Sequence, residues 1–337
     1  MKHTHLRSLC AGLMALTIVG LVRADDRLEY RKDDKVASIV GQVADENVSG
    51  LKFKPNTGKE FQVPVRDIVK VAYEMPGKVR LDYGNVAGLE EKRDYAKALE
   101  GYKSMLPQMG TGTDRAKRHV EYRIAMLKAT LGEPDAMESL AAFLKVHPNA
   151  WQYSSVARQL VSLQIDKGEY DAAAKIVETW SRLEGLSKEL KQEADLMLID
   201  VLFQAGKYGD VQGKIQAALA ALPANDPQRA KLEVYILGCQ GREADMKVTV
   251  SKLEQIILRT DDPALKALAY NTMGDCYSLK GMKQEAKFSY LWVDAVYNQD
   301  RQEHVKALDR LTKLFESDPL KDPDRAQLFR DKAQRTR

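Results

Sequence analysis

Residues 267–298 read ALAYNTMGDCYSLKGMKQEAKFSYLWVDAVYN, and this stretch decides the fold. Tyr270, Gly274 and Tyr277 recur at helical spacing, and so do Ala286, Tyr290 and Val293. Gly281 stands between the two sets, where a left-handed residue can end one helix before the next begins. The segment therefore reads as two antiparallel amphipathic helices joined by a tight turn.

The same pattern returns upstream. With Ala286 as anchor, equivalent positions are Ala98, Ala136, Ala173, Val211 and Met246, spaced 35 to 40 residues apart. Four residues after the anchors stand Tyr102, Leu140, Val177, Ile215, Val250 and Tyr290. Seven after stand Met105, Phe143, Trp180, Ala218, Leu253 and Val293. Five before stand Arg93, Leu131 (with Gly132 next to it), Gly168, Gly206, Gly241 and Gly281. A glycine fixed in register with two apolar stripes marks a repeated hairpin, because an ordinary bundle has no reason to place it at one offset.

These residues resemble the tetratricopeptide repeat (TPR) family. The best copy carries Tyr270, Met273-Gly274, Tyr277, Gly281, Ala286 and Tyr290, and Pro148 and Pro223 fall where a repeat of that family ends. The resemblance implies a mainly α fold, an α-solenoid of about six helix pairs over residues 79–320, capped by a helix containing Leu308, Leu311, Leu314 and Phe315. The first-helix position that is small in the family holds Val86, Ile124, Val161, Ile199 and Val234 in five copies, so those pairs should sit further apart. Residues 321–337 are polar and interrupted near their start by Pro319 and Pro323, and read as a solvated or frayed tail.

The resemblance also implies that the first helices line a concave, partner-binding groove. By register its residues include Arg158, Ser162, Leu196, Asp200, Phe203, Lys231, Tyr235, Asn271 and Asp275, about half of which should only contact neighbouring repeats. No copy pairs lysine with asparagine, so a clamp for a partner's terminal carboxylate is not expected. The mixture of aromatic, aliphatic and charged side chains suits a mid-chain peptide or a protein surface.

Ahead of the repeats, residues 25–76 alternate with period two. Leu51 and Phe53 alternate with lysines, then Phe61, Val63 and Val65, then Val69, Val71 and Tyr73, with Asn56-Thr57-Gly58 as a hairpin turn. Val36 to Val43 is a further strand with Gly41 a candidate bulge. This resembles a small SH3-like or Sm-like β-barrel, expected to pack on the end of the helical array. Pro76-Gly77 marks the join. Its nine basic and ten acidic residues nearly cancel, which argues against RNA binding.

Residues 1–24 have the layout of a cleaved signal peptide: Lys2 and Arg7, an apolar run from Leu9 to Val22, then Val22-Arg23-Ala24 before two aspartates. The run is too short to span a membrane. Without these residues the chain has 49 basic and 48 acidic side chains, leaving no electrostatic case for nucleic acid. The expectation is an exported protein of the periplasm or cell envelope. It would be a non-enzymatic scaffold with a protein or peptide partner and no membrane span once the signal is removed. The alternatives are an envelope sensor or assembly factor whose β module binds a ligand such as a glycan, and an accessory subunit of an envelope enzyme.

No motif for catalysis, cofactor or metal stands out. His119, His147 and His304 do not pair at metal-ligand spacing. Cys239 and Cys276 lie on adjacent first helices but nearly a turn out of register, so two separate buried side chains are expected rather than a disulfide.

Overall fold

The computed structural model describes residues 25–77, 79–110, 114–241 and 246–336. The signal-peptide reading of residues 1–24 lies outside the described residues. Five strands come first: β1 (Asp26–Lys32), β2 (Lys35–Asn47), β3 (Gly50–Pro55), β4 (Phe61–Pro64) and β5 (Ile68–Ala72). Fourteen helices follow among the described residues: α1 (Arg80–Glu91), α2 (Tyr95–Met105), α3 (Asp114–Leu131), α4 (Ala136–Val146), α5 (Tyr153–Asp166), α6 (Tyr170–Ser181) and α7 (Lys188–Gln204), then α8 (Tyr208–Ala221), α9 (Gln228–Gln240), α10 (Met246–Arg259), α11 (Pro263–Leu279), α12 (Lys283–Ala295), α13 (Arg301–Phe315) and α14 (Pro323–Thr336).

The helices form hairpins in single file, and the anchor residues lie on the second helix of each. Ala98, Ala136, Ala173, Val211 and Ala286 are buried, as are the residues four positions later. Arg93, Gly132, Gly168, Gly206 and Gly281 all have positive φ, between 64° and 77°. Gly241 differs, with φ of −60°. It is glycine for a different reason: a Cβ there would come within 2.5 Å of Cys276 Sγ on α11. Cys239 and Cys276 are both buried and not joined by a disulfide.

The bulky first-helix positions are accommodated locally. In the sixth hairpin Gly274 lets the Tyr290 ring approach, and a Cβ would lie 2.4 Å from it. In the first hairpin the small residue has moved across: Val86 is on α1 and Gly101 on α2, where a Cβ would meet Val86 at 2.4 Å.

Two sequence expectations need correction. The segment expected to be a frayed tail, 321–337, is ordered over its described residues, 321–336. Its residues form α14, which buries Ala326, Phe329 and Ala333 against α13, stacks Phe329 on Phe315 at 5.6 Å, and ties Lys332 to Asp294 at 2.5 Å. Pro323 begins this helix, where proline's fixed φ and missing N–H carry no penalty. The expected capping helix is thus the first member of a seventh hairpin. The β module, in turn, is an open antiparallel sheet in the order β4-β3-β2-β1-β5, with β4 and β5 as edges, rather than a closed barrel.

Closure by strands is replaced by closure on helices. Leu28, Val43, Leu51, Phe53, Val63 and Val71 belong to one apolar core with α1 through α11. The irregularity in β2 falls between Val43 and Asp45, not at Gly41. Gly41 instead permits close approach to β3, since a Cβ would sit 2.2 Å from the Lys54 carbonyl oxygen.

The sheet lies along one edge of the solenoid rather than on its end. Arg115, in the first turn of α3, donates to the backbone carbonyls of Val43 and Ala44, and Arg118 pairs with Glu46. Trp151 Nε1, just before α5, donates to Tyr73 Oη at 2.9 Å, and that hydroxyl donates to Glu46 at 2.8 Å. The Ser49 hydroxyl donates to the Gly185 carbonyl oxygen and accepts from the Ser187 N–H, both at 2.6 Å, at the start of α7. His119 is buried among Tyr73, Tyr83 and Tyr122, with ring centroids 5.5 to 6.2 Å apart. Burial, then Arg118 and Lys70, push its pKa down to about 4.

Candidate functional site: the concave face

The first helices of the later repeats curve until α5 meets α13, where Arg301 pairs with Asp166 at 2.7 Å across 135 residues of chain. Three clefts of about 220 to 280 Å³ lie on the inside of this curve. All three are lined by Gln204, the last residue of α7. They form one bowl walled by α5, α7, α9, α11 and α13.

The nine groove residues divide into three groups. Asp200, Phe203, Lys231, Tyr235, Asn271 and Asp275 line the bowl, and most also lock one repeat to the next. Asp200 accepts from Lys231 Nζ at 2.6 Å, and Phe203 stacks on Tyr235 at 4.2 Å. Asp275 takes both Nε and Nη2 of Arg310, at 2.5 and 2.6 Å, and the Tyr290 hydroxyl at 2.8 Å. A fork of this kind fixes α11 against α13. Asn271 is buried, and its amide nitrogen donates to the Glu303 carbonyl oxygen and carboxylate, at 2.9 and 2.8 Å. Arg158 sits apart, paired with Glu193 at 2.5 Å and placed over the Trp180 ring. Ser162 is half-buried one turn before Asp166. Leu196 lines a separate cleft between α7 and α8.

The bowl mixes charges. Asp200, Asp262, Asp300, Glu303 and Asp309 face Lys231, Lys306, Arg310 and Lys313 around its wall. Burial works against ionisation of Glu303, yet Lys306, Asn271 and Arg310 hold its carboxyl below the usual range, so it is charged at neutral pH. Two acceptors are left over: Gln204 Oε1 and Asn271 Oδ1 are buried with no hydrogen-bond partner within the chain. Such groups are costly unless something donates to them.

Sequence reasoning missed Gln204 and Asp166. Both stand seven residues before an anchor, one place beyond Phe203 in the register, so following the first helix to its end would have reached them.

The histidines stay within local contacts. His147 Nε2 lies 2.7 Å from Glu121, and His304 Nε2 lies 2.8 Å from Asp294. Among the described residues, no cluster of three or more His, Cys, Asp or Glu side chains has the geometry to hold a metal, and no helix is long and apolar enough to cross a membrane.

Comparison with solved structures agrees with this architecture. A tetratricopeptide repeat protein from Parabacteroides merdae ATCC 43184 superposes with a TM-score of 0.54 at 15% identity, over 76% of this chain and 93% of that one. The fold is that of a tetratricopeptide-repeat solenoid. Lower similarity is found to the P58(IPK) TPR domain, with a TM-score of 0.29 at 14% identity over 76% of this chain and 67% of that one. BtubC from P. vanneervenii gives 0.34 at 13% identity, over 67% of this chain and 91% of that one. No family model matches the chain, and no curated protein matches it in sequence. The solenoid here carries a β-sheet along one edge and a bowl closed by contact between its third and seventh hairpins.

Proposed function

We propose that this chain is an exported, non-enzymatic scaffold of the periplasm or cell envelope, which holds an extended segment of a partner protein in the bowl between α5 and α13. The observation that carries the reading is the pair of unpartnered buried acceptors, Gln204 Oε1 and Asn271 Oδ1, in a concavity where Asp200 is already paired with Lys231 and Asp275 with Arg310. A peptide backbone supplies N–H donors at regular spacing, and a rigid wall lets it bind with little ordering cost. Asp200, Lys231, Glu303 and Lys306 offer both signs of charge to flanking side chains.

The test is photo-crosslinking in cells, with a benzophenone amino acid placed at Gln302 in the bowl or at Lys252 on α10. Discrete adducts from position 302 but not from 252 are expected, and equal labelling from both would contradict the reading. Export is checked separately: the mature chain should begin at Asp25, and recovery of a chain that retains residues 1–24 would contradict it.

The sensor alternative rests on a polar cleft between β1, β5 and α1, lined by Arg27, Lys70 and Tyr83. It predicts that altering Arg27 and Lys70 abolishes the crosslinks from Gln302, whereas the bowl reading predicts that they persist.

A further inference from the structure

Seven residues after the anchor, five hairpins carry a large, buried side chain: Met105, Phe143, Trp180, Leu253 and Val293. The fourth carries Ala218, small and only partly buried. Along α8, Val211 and Ile215 are fully buried, but Ala217 and Ala221 are exposed and, with Ala218, line a cleft against α7. The cleft measures about 380 Å³ and lies at the end of the hairpin remote from its turn.

An under-filled core position usually closes at least partly as neighbours relax. Here α7 is held from other directions, at Ser187 by Ser49 of the sheet and at Asp200 by Lys231 of α9.

The floor of the cleft is apolar, made by Leu196, Leu198, Ile199 and Leu222. Its rim carries Lys188 and Lys191 from α7 and Lys214 from α8, with Asp195 the one acid among the lining residues. The nearby ion pairs use other side chains, Arg158 with Glu193 and Asp200 with Lys231. The three lysines are exposed and spread over both walls instead of converging on one point. That distribution suits charges placed along a rod rather than a single anionic head-group.

We propose that this cleft is a docking site, distinct from the bowl, for a short amphipathic helix of a partner protein. The helix inserts bulky apolar side chains where the repeat lacks its core residue, and its flanking carboxylates meet Lys188, Lys191 and Lys214. The pairing is charge-complementary, and the apolar anchors supply most of the affinity.

The test uses the full chain and fluorescein-labelled peptides about four helical turns long. One peptide has Leu and Phe four residues apart with Asp and Glu on both flanks. A second has Lys in place of the acids, and a third has Ala in place of Leu and Phe. Fluorescence anisotropy should show binding of the first peptide and weakening by about ten-fold or more for each of the other two. Ala218→Trp fills the cleft with the residue that the third hairpin carries and should abolish binding. The triple variant Lys188→Glu, Lys191→Glu, Lys214→Glu changes exposed residues, so it keeps the fold, and it should reverse the preference between acidic and basic peptides. Equal affinity for acidic and basic peptides, or an unchanged affinity in the triple variant, would overturn the proposal. Displacement of the solvatochromic probe ANS from this cleft by laurate but not by the acidic peptide would also overturn it, assigning the cleft to a lipid.

Discussion

The first four hairpins and the last three are built from the same unit, yet their first helices are stabilised differently. Where α3, α5 and α7 begin, the β-sheet braces the edge through polar contacts of graded burial: Trp151 with Tyr73, Arg118 with Glu46, and Ser49 with the start of α7. Where α9, α11 and α13 run, neighbouring repeats are joined by groups that line the bowl, such as Asp200 with Lys231 and Asp275 with Arg310. The difference teaches how one repeat serves two ends. The earlier first helices are tied to the sheet at their starts, and the later ones are tied to one another along the bowl.

The largest expected effect breaks the brace. Glu46 has 6% of its side chain exposed and is paired with Arg118, at 17%. Glu46→Ala leaves that guanidinium buried without its partner and should cost about 3–5 kcal/mol in urea unfolding. Asp200→Ala, at a more exposed pair, should cost about 1 kcal/mol or less. Equal costs for the two would erase the contrast between the halves.

Acid should separate the halves next. His119 is pushed down to about 4 in the folded chain, against an ordinary value near 6.5. Between those values the unfolded chain binds the extra proton, so stability is fully present above about pH 6.5 and lost as pH falls toward about 4. The loss from this residue should be about 3 kcal/mol. Hydrogen exchange at pH 5 should quicken in α1 to α5 before α9 to α13. His119→Phe, which keeps a ring among Tyr73, Tyr83 and Tyr122, should flatten the dependence. An unchanged pH profile in that variant would place the acid-sensitive group elsewhere.

Smaller effects sharpen the picture of the last three hairpins. Gly274→Ala forces a Cβ against the Tyr290 ring and should cost about 1–3 kcal/mol. Gly281→Ala meets no neighbour but must hold a φ of 75°, and should cost about 1 kcal/mol. Thermal unfolding that ranks them in the opposite order would mean that α11 and α12 are less closely packed than described.

Most of the helical architecture was legible because it is repetitive. The stripe through Ala286, Tyr290 and Val293 and the turn glycine five residues earlier report local geometry, and they recur in register. Docking of the sheet was not legible. It depends on single long-range contacts such as Arg115 with the Val43 carbonyl, which leave no periodic trace. Helix α14 was hidden by its charge, although Ala326, Phe329 and Ala333 already have helical spacing and Pro323 suits a first helical position. In the candidate site, Asp200, Lys231 and Asn271 could be placed by register, but their pairing with neighbouring repeats could not. Gln204 and Asp166 could likewise be reached by register, but the closure by Asp166 and Arg301 depends on the curvature of the whole solenoid, which no single repeat encodes.

Pulsed electron resonance distances check that closure, with spin labels on Lys167→Cys and Gln302→Cys, which lie beside the Asp166–Arg301 pair and leave it intact. Adjacent first helices sit about 10 Å apart, so a straight stack would separate the third and seventh repeats by about 40 Å. A closed bowl gives a narrow distribution below about 20 Å, and a main peak near the straight-stack value of about 40 Å would rule the closure out.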